Sequence, residues 1–126
     1  MAKILIVDDD PDVVEACRLV LESASHAVAA AGGRTEGMQA VAAEAPDLIV
    51  LDVIMEQPDD GIAMAQELRR QGFTKPILML TSIGRVTGLP YGSNPSMVPV
   101  DAFVEKPIDP AALIAMIADL LGRKEG

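Results

Sequence analysis

The sequence predicts a doubly wound parallel α/β fold, and three observations carry that expectation. Short apolar runs alternate with amphipathic helical stripes along the chain. The runs lack polar alternation, which is how strands buried on both faces read. The polar residues able to do chemistry fall where those runs end.

The first apolar run is Ile4 to Val7. Asp10-Pro11 then sets a capping acid before a proline at the first helical position. Val13, Cys17, Val20, Leu21 and Ala24 follow at helical spacing and give one apolar face. Ala27 to Ala31 is a weaker run, expected near the edge of a sheet. Thr35 is the expected cap of the next stripe, Met38, Val41, Ala42 and Ala45. Leu48 to Leu51 is the third run, and Ile62, Ala65 and Leu68 form the stripe after it. Gly72 sits past that stripe, where a left-handed residue often ends a helix. Ile77 to Leu80 is the fourth run and Ala102 to Val104 the fifth. Asp109-Pro110 repeats the acid-proline cap before Leu113, Met116, Ile117 and Leu120, and Gly122 is the expected stop. Right-handed crossovers restrict how such units connect. Residues Gly84 to Val100 break the rhythm with glycines and prolines, which limits regular helix there to a short turn or two. Irregular stretches this long inside a compact domain are uncommon, and a plain surface loop and a functional segment both stand as readings of it.

With 126 residues there is room for one core, so a single domain over 1–126 is expected. Phe73, Tyr91 and Phe103 are the only aromatic residues, so the core is expected to be aliphatic, with methionine as filler. The net charge is −9, which argues against nucleic acid or an anionic membrane as partner, because both select cationic surfaces. Cys17 is the single cysteine, so neither an internal disulfide nor a multi-cysteine zinc site is possible. No apolar run approaches the roughly 20 residues that cross a bilayer. No signal-peptide pattern opens the chain, and a cytoplasmic location is expected.

What the runs feed into is the functional signal. The first ends in Asp8-Asp9-Asp10, the third in Asp52, the fourth in Thr81-Ser82 and the fifth in Glu105-Lys106-Pro107. In a parallel sheet all these ends share one edge, where ligands of open α/β sheets bind. Three carboxylates gathered there repel one another, and a hard divalent cation relieves that repulsion. Oxygen-only ligation with retained waters suits magnesium, with manganese as a substitute. A cation, a lysine and a hydroxyl together meet the needs of phosphoryl oxygens. Asp52 is then a candidate nucleophile, forming an acyl phosphate. Each residue also has a plainer role: Asp10 as a cap, Asp52 as a turn residue, Thr81 and Ser82 bonding local backbone, Lys106 on the surface. Their convergence on one edge favours the chemical reading. His26 and Cys17 carry only structural readings.

Lys3-Ile4-Leu5-Ile6-Val7-Asp8-Asp9-Asp10, Pro46-Asp47-Leu48-Ile49-Val50-Leu51-Asp52, Leu78-Met79-Leu80-Thr81 and Phe103-Val104-Glu105-Lys106-Pro107 resemble a response-regulator receiver domain of bacterial two-component systems. The ordered set, at these intervals, covers nearly the whole chain. The resemblance implies a flavodoxin-like five-stranded sheet of order 2-1-3-4-5. It implies Asp52 as phosphoacceptor, with Thr81 and Lys106 at the phosphoryl oxygens. Asp9, Asp52 and the backbone carbonyl of Ile54 would ligate magnesium, and Asp8 would act through a metal-bound water. Phe103 matches the family's switch aromatic, which turns inward when the residue at the Thr81 position moves toward the phosphoryl group. A sensor histidine kinase or histidine phosphotransfer protein would be the donor, and an unknown protein the downstream partner. Such a domain is not an enzyme on external substrates; it catalyses its own phosphorylation and dephosphorylation.

Two features depart from the family pattern. The family's Met-Pro then Asp-Gly becomes Met55-Glu56-Gln57-Pro58-Asp59-Asp60-Gly61 here, one residue longer and with an added charge at Glu56. Residues 84–100 shorten or replace the usual fourth helix, which puts dimerisation through that helix in doubt. The expectation is therefore a stand-alone receiver with no output domain, signalling through protein contacts. A receiver-like binding module that is never phosphorylated is the alternative, and the full set of Asp8, Asp9, Asp52, Thr81 and Lys106 counts against it. A small phosphatase using Asp8 as nucleophile is disfavoured by the lack of a late acidic pair.

Overall fold

The computed structural model describes residues 2–52, 60–82, 101–106 and 109–125. Its elements are β1 (Lys3–Val7), α1 (Pro11–Ser23), β2 (Ala27–Ala31), α2 (Arg34–Glu44), β3 (Leu48–Asp52), α3 (Asp60–Arg70), β4 (Ile77–Ser82), β5 (Ala102–Lys106) and α4 (Pro110–Glu125). The five strands are all parallel and lie in the order β2-β1-β3-β4-β5. This is the flavodoxin-like order that the resemblance implied.

The side-chain alternation of the central strands builds two cores. Leu5, Val7, Ile49, Leu51, Ile77 and Met79 pack with Ile62, Met64, Ala65 and Leu68 of α3, and Met38 and Val41 of α2 join them. Ile4, Ile6, Leu48, Val50, Leu78 and Leu80 pack on the other face with Cys17 and Leu21 of α1 and with Leu113, Ile117 and Leu120 of α4. Every residue of β1 from Ile4 on, and all of β3, is buried, so apolar side chains are needed on both faces. β2 is an edge strand with a mixed exposure pattern, which explains its weak sequence signal.

Asp10 caps α1 as expected: its Oδ1 accepts from the Asp12 N–H at 2.9 Å, and Pro11 opens the helix. Gly72 has φ +96°, as its position after α3 requires. Two expectations need correction. Thr35 is not a cap, because α2 starts at Arg34 and Gly33, in extended backbone, takes the cap position without a side-chain bond. Gly122 does not end the last helix, since α4 runs on to Glu125. Residues 84–100, where a shortened or replaced helix was expected, lie outside the described residues.

The opposite edge of the sheet, where strands begin, is held by two aspartates. Asp47 donates its N–H to the Lys3 carbonyl at 2.7 Å, and its Oδ2 accepts from the Lys3 N–H at 2.9 Å. Asp101 does the same to Ile77, at 2.9 Å and 2.8 Å. Among the described residues no helix is long and apolar enough to cross a membrane.

Candidate metal centre

β1 and β3 are neighbours, with Val7 opposite Leu51. One step further along, the chain reaches Asp8 and Asp52, so hydrogen-bond register alone brings the two carboxylates side by side. Asp8 continues the ladder, its N–H donating to the Ala31 carbonyl at 3.1 Å. Its Oδ1 accepts from the Asp10 N–H at 2.9 Å, which fixes the side chain over the turn into α1. Asp9 sits between them and faces solvent.

One carboxylate oxygen from each of Asp8, Asp9 and Asp52 lies within 4.8 Å of the others. Asp8 is 1% exposed and Asp52 6%, so two of the three charges are nearly withdrawn from water. Like charges this close, with little solvent to screen them, are unfavourable unless a cation sits among them. The donor set is all oxygen and carries several negative charges, with Asp9 open to water. That chemistry fits a hard divalent ion that keeps part of its hydration, as magnesium does.

The remaining expected residues are placed to different degrees. In β4, Leu80 pairs with Asp52 and Thr81 follows it to the same edge. In β5, Lys106 pairs with Ser82 at the strand's end, and Phe103 pairs with Met79 further back. The backbone thus delivers Asp8, Asp9, Asp52, Thr81 and Lys106 to one edge, as the sequence pattern implied. The side chains of Thr81, Phe103 and Lys106, the whole of Ile54, and the Glu56 loop lie outside the described residues.

Two features had no signal in the sequence. An open groove of ≈490 Å³ adjoins the carboxylates, walled by Pro11, Val14, Ala30 and Ala31. Arg18 and Glu15 line it and bond to each other at 2.5 Å. The reciprocal bonds of Asp47 and Asp101 are the second feature. An aspartate before an apolar run reads as a turn residue, and nothing local shows that it bonds a neighbouring strand.

Comparison with known proteins agrees with this geometry. Residues 4–118 match the response regulator receiver domain family. Among curated relatives, the alkaline phosphatase synthesis transcriptional regulatory protein PhoP of Bacillus subtilis is 35% identical over 98% of this chain and 50% of its own length. The DNA-binding dual master transcriptional regulator RpaA of a Synechocystis species is 33% identical, covering 99% of this chain and 51% of that protein. Among solved structures, chemotaxis protein CheY4 of Vibrio cholerae superposes with a TM-score of 0.84 at 26% identity, over 95% of this chain and 98% of that one. A putative response regulator from Chloroflexus aurantiacus gives 0.85 at 29% identity, over 96% and 98%.

The chain spans about half the length of the curated relatives it matches. That corrects the expected partners. Nucleic acid was excluded on the net charge of −9, yet a relative that aligns with this whole stretch is a DNA-binding regulator. Net charge describes the surface of these residues alone. It says nothing about a protein twice as long in which other residues meet DNA.

Proposed function

Because this chain belongs to the response regulator receiver domain family, we propose that it accepts a phosphoryl group on Asp52 and passes the signal on through changed protein contacts. The observation that carries this reading is the nearly buried Asp52 carboxylate at the end of β3, grouped with Asp8 and Asp9. Magnesium, held by Asp9, Asp52 and the Ile54 carbonyl with Asp8 reaching it through a water, would supply the positive charge that phosphoryl oxygens need, and manganese would substitute.

An Asp52 carboxylate oxygen attacks the phosphorus of a phosphohistidine donor. A P–O bond forms, the P–N bond breaks, and its electron pair returns to the imidazole nitrogen. Thr81 donates its hydroxyl and Lys106 its ammonium hydrogens to the transferred oxygens. Water later attacks the same phosphorus and frees Asp52, so the domain acts only on itself and turns over no external substrate. Phe103 serves as the switch residue that follows Thr81. We read the compartment as the cytoplasm, and the relatives' names direct the output towards control of transcription.

Phosphorylation by a small phosphodonor tests this reading. With magnesium, one phosphoryl group per chain is expected, stable in acid and labile in base, and absent from Asp52→Asn. Equal labelling of Asp52→Asn would refute it.

A further inference from the structure

We propose that Asp101 is a positioning residue, one that fixes the register of β5 and so holds Lys106 at the carboxylate edge. The proposal rests on the reading of Lys106 given above. β5 is an edge strand, bonded to β4 alone, and edge strands have one ladder to define them. Its Ala102-Phe103-Val104 is apolar throughout, so hydrophobic alternation does not choose between registers. A slip of one residue would displace Lys106 by about 3.3 Å along the strand.

Asp101 supplies the missing constraint. It forms a closed ring of bonds with Ile77, donating its N–H at 2.9 Å and accepting the Ile77 N–H on Oδ2 at 2.8 Å. Ile77 is fully buried, and its N–H at the start of β4 needs an acceptor. The same Oδ2 accepts from Arg69 Nη2 at 3.0 Å. Arg69 is itself anchored, its Nη1 donating to the carbonyls of Phe73 at 2.9 Å and Lys75 at 2.8 Å. In any other register these bonds cannot all form. The device recurs at Asp47, which makes the same ring with Lys3 at the entry of β3. There the strand is held from both sides, by β1 and β4, so the ring is redundant. In each case the aspartate precedes, by five positions, a residue of the proposed site: Asp47 before Asp52, and Asp101 before Lys106.

The test is a cycle of variants in the full chain, labelled with a small phosphodonor, with magnesium affinity measured by calorimetry. Misplacement of a reacting group by about 1 Å costs up to about a hundredfold in rate. Asp101→Ala is therefore expected to slow labelling at least about fivefold, with Asp101→Asn restoring most of the rate. Magnesium affinity stays unchanged, because the carboxylates sit at the ends of β1 and β3. The double variant Asp101→Ala with Lys106→Ala is expected to be no slower than Lys106→Ala alone. Should Asp101→Ala not fold, Arg69→Gln, which keeps the ring with Ile77 but removes the Asp101 bond together with those to Phe73 and Lys75, carries the same cycle with a smaller loss. Losses that multiply, or a fall in Asp47→Ala equal to that in Asp101→Ala, would overturn the proposal while leaving the phosphoacceptor reading intact. A Lys106→Ala variant that labels at the normal rate would overturn the role of Lys106 itself, and the proposal with it.

Discussion

His26 shows how one side chain at the edge of the fold couples to pH. Its Nδ1 accepts the Ala2 N–H at 3.2 Å, a bond that only the neutral ring can make. Burial, and then the nearby N-terminal amine, lower its pKa from the ordinary 6.5. The sign follows. The unfolded chain takes up a proton on this ring at higher pH than the folded one does. Stability from this source is therefore complete above about pH 6.5 and falls as pH drops from there through the lowered folded value. Wild type and His26→Gln, melted side by side from pH 8 to pH 5, should diverge, wild type losing more. Taking the difference cancels the carboxylates, whose protonation both proteins share. A gap that does not change with pH would rule the effect out. In the sequence His26 is only a residue before an edge strand, because its partner, the Ala2 backbone, lies 24 positions away, just before β1.

At the scale of elements, what the sequence made legible is what local physics controls. Asp10 and Pro11 mark the start of α1 because capping and the proline ring act within one turn. The buried strands β1, β3 and β4 announce themselves because double-sided burial demands apolar runs. Thr35 misled because Gly33 satisfies the start of α2 through its backbone, which leaves no side-chain signature. The cap of α1 is open to test. The Asp10 side chain serves Asp12, while its backbone N–H serves Asp8. Asp10→Ala removes the first bond and keeps the second. It should cost about 1 kcal/mol in urea unfolding, with magnesium affinity unchanged. A loss of affinity would mean that the cap also shapes the carboxylate cluster.

For the whole molecule, the fold is a frame that forces charges together against their own repulsion. Register places Asp8 beside Asp52, one step past the Val7–Leu51 pair, which is why the gathering of carboxylates at the strand ends is legible in the sequence. What pattern could not supply was the means of holding that register at the far edge, since the bonds of Asp47 and Asp101 join residues distant in sequence. The strain in the cluster has a thermodynamic consequence. The unfolded chain separates Asp52 from Asp8 and Asp9 and binds a divalent ion weakly, so an ion that binds the folded cluster must raise stability by mass action. At a magnesium concentration one hundred times the Kd, the gain is about 2.7 kcal/mol. For a chain of 126 residues that corresponds to about 10 °C in Tm. General screening of the net charge of −9 also stabilises, so sodium chloride at equal ionic strength is the control. Asp9→Asn should lose most of the magnesium-specific increment, since it removes the proposed ligand on the open side of the cluster. It should also melt higher than wild type without magnesium, because one of three crowded charges is gone. Both shifts follow from the same geometry. Magnesium and sodium raising Tm equally at matched ionic strength would show that the cluster holds no specific ion.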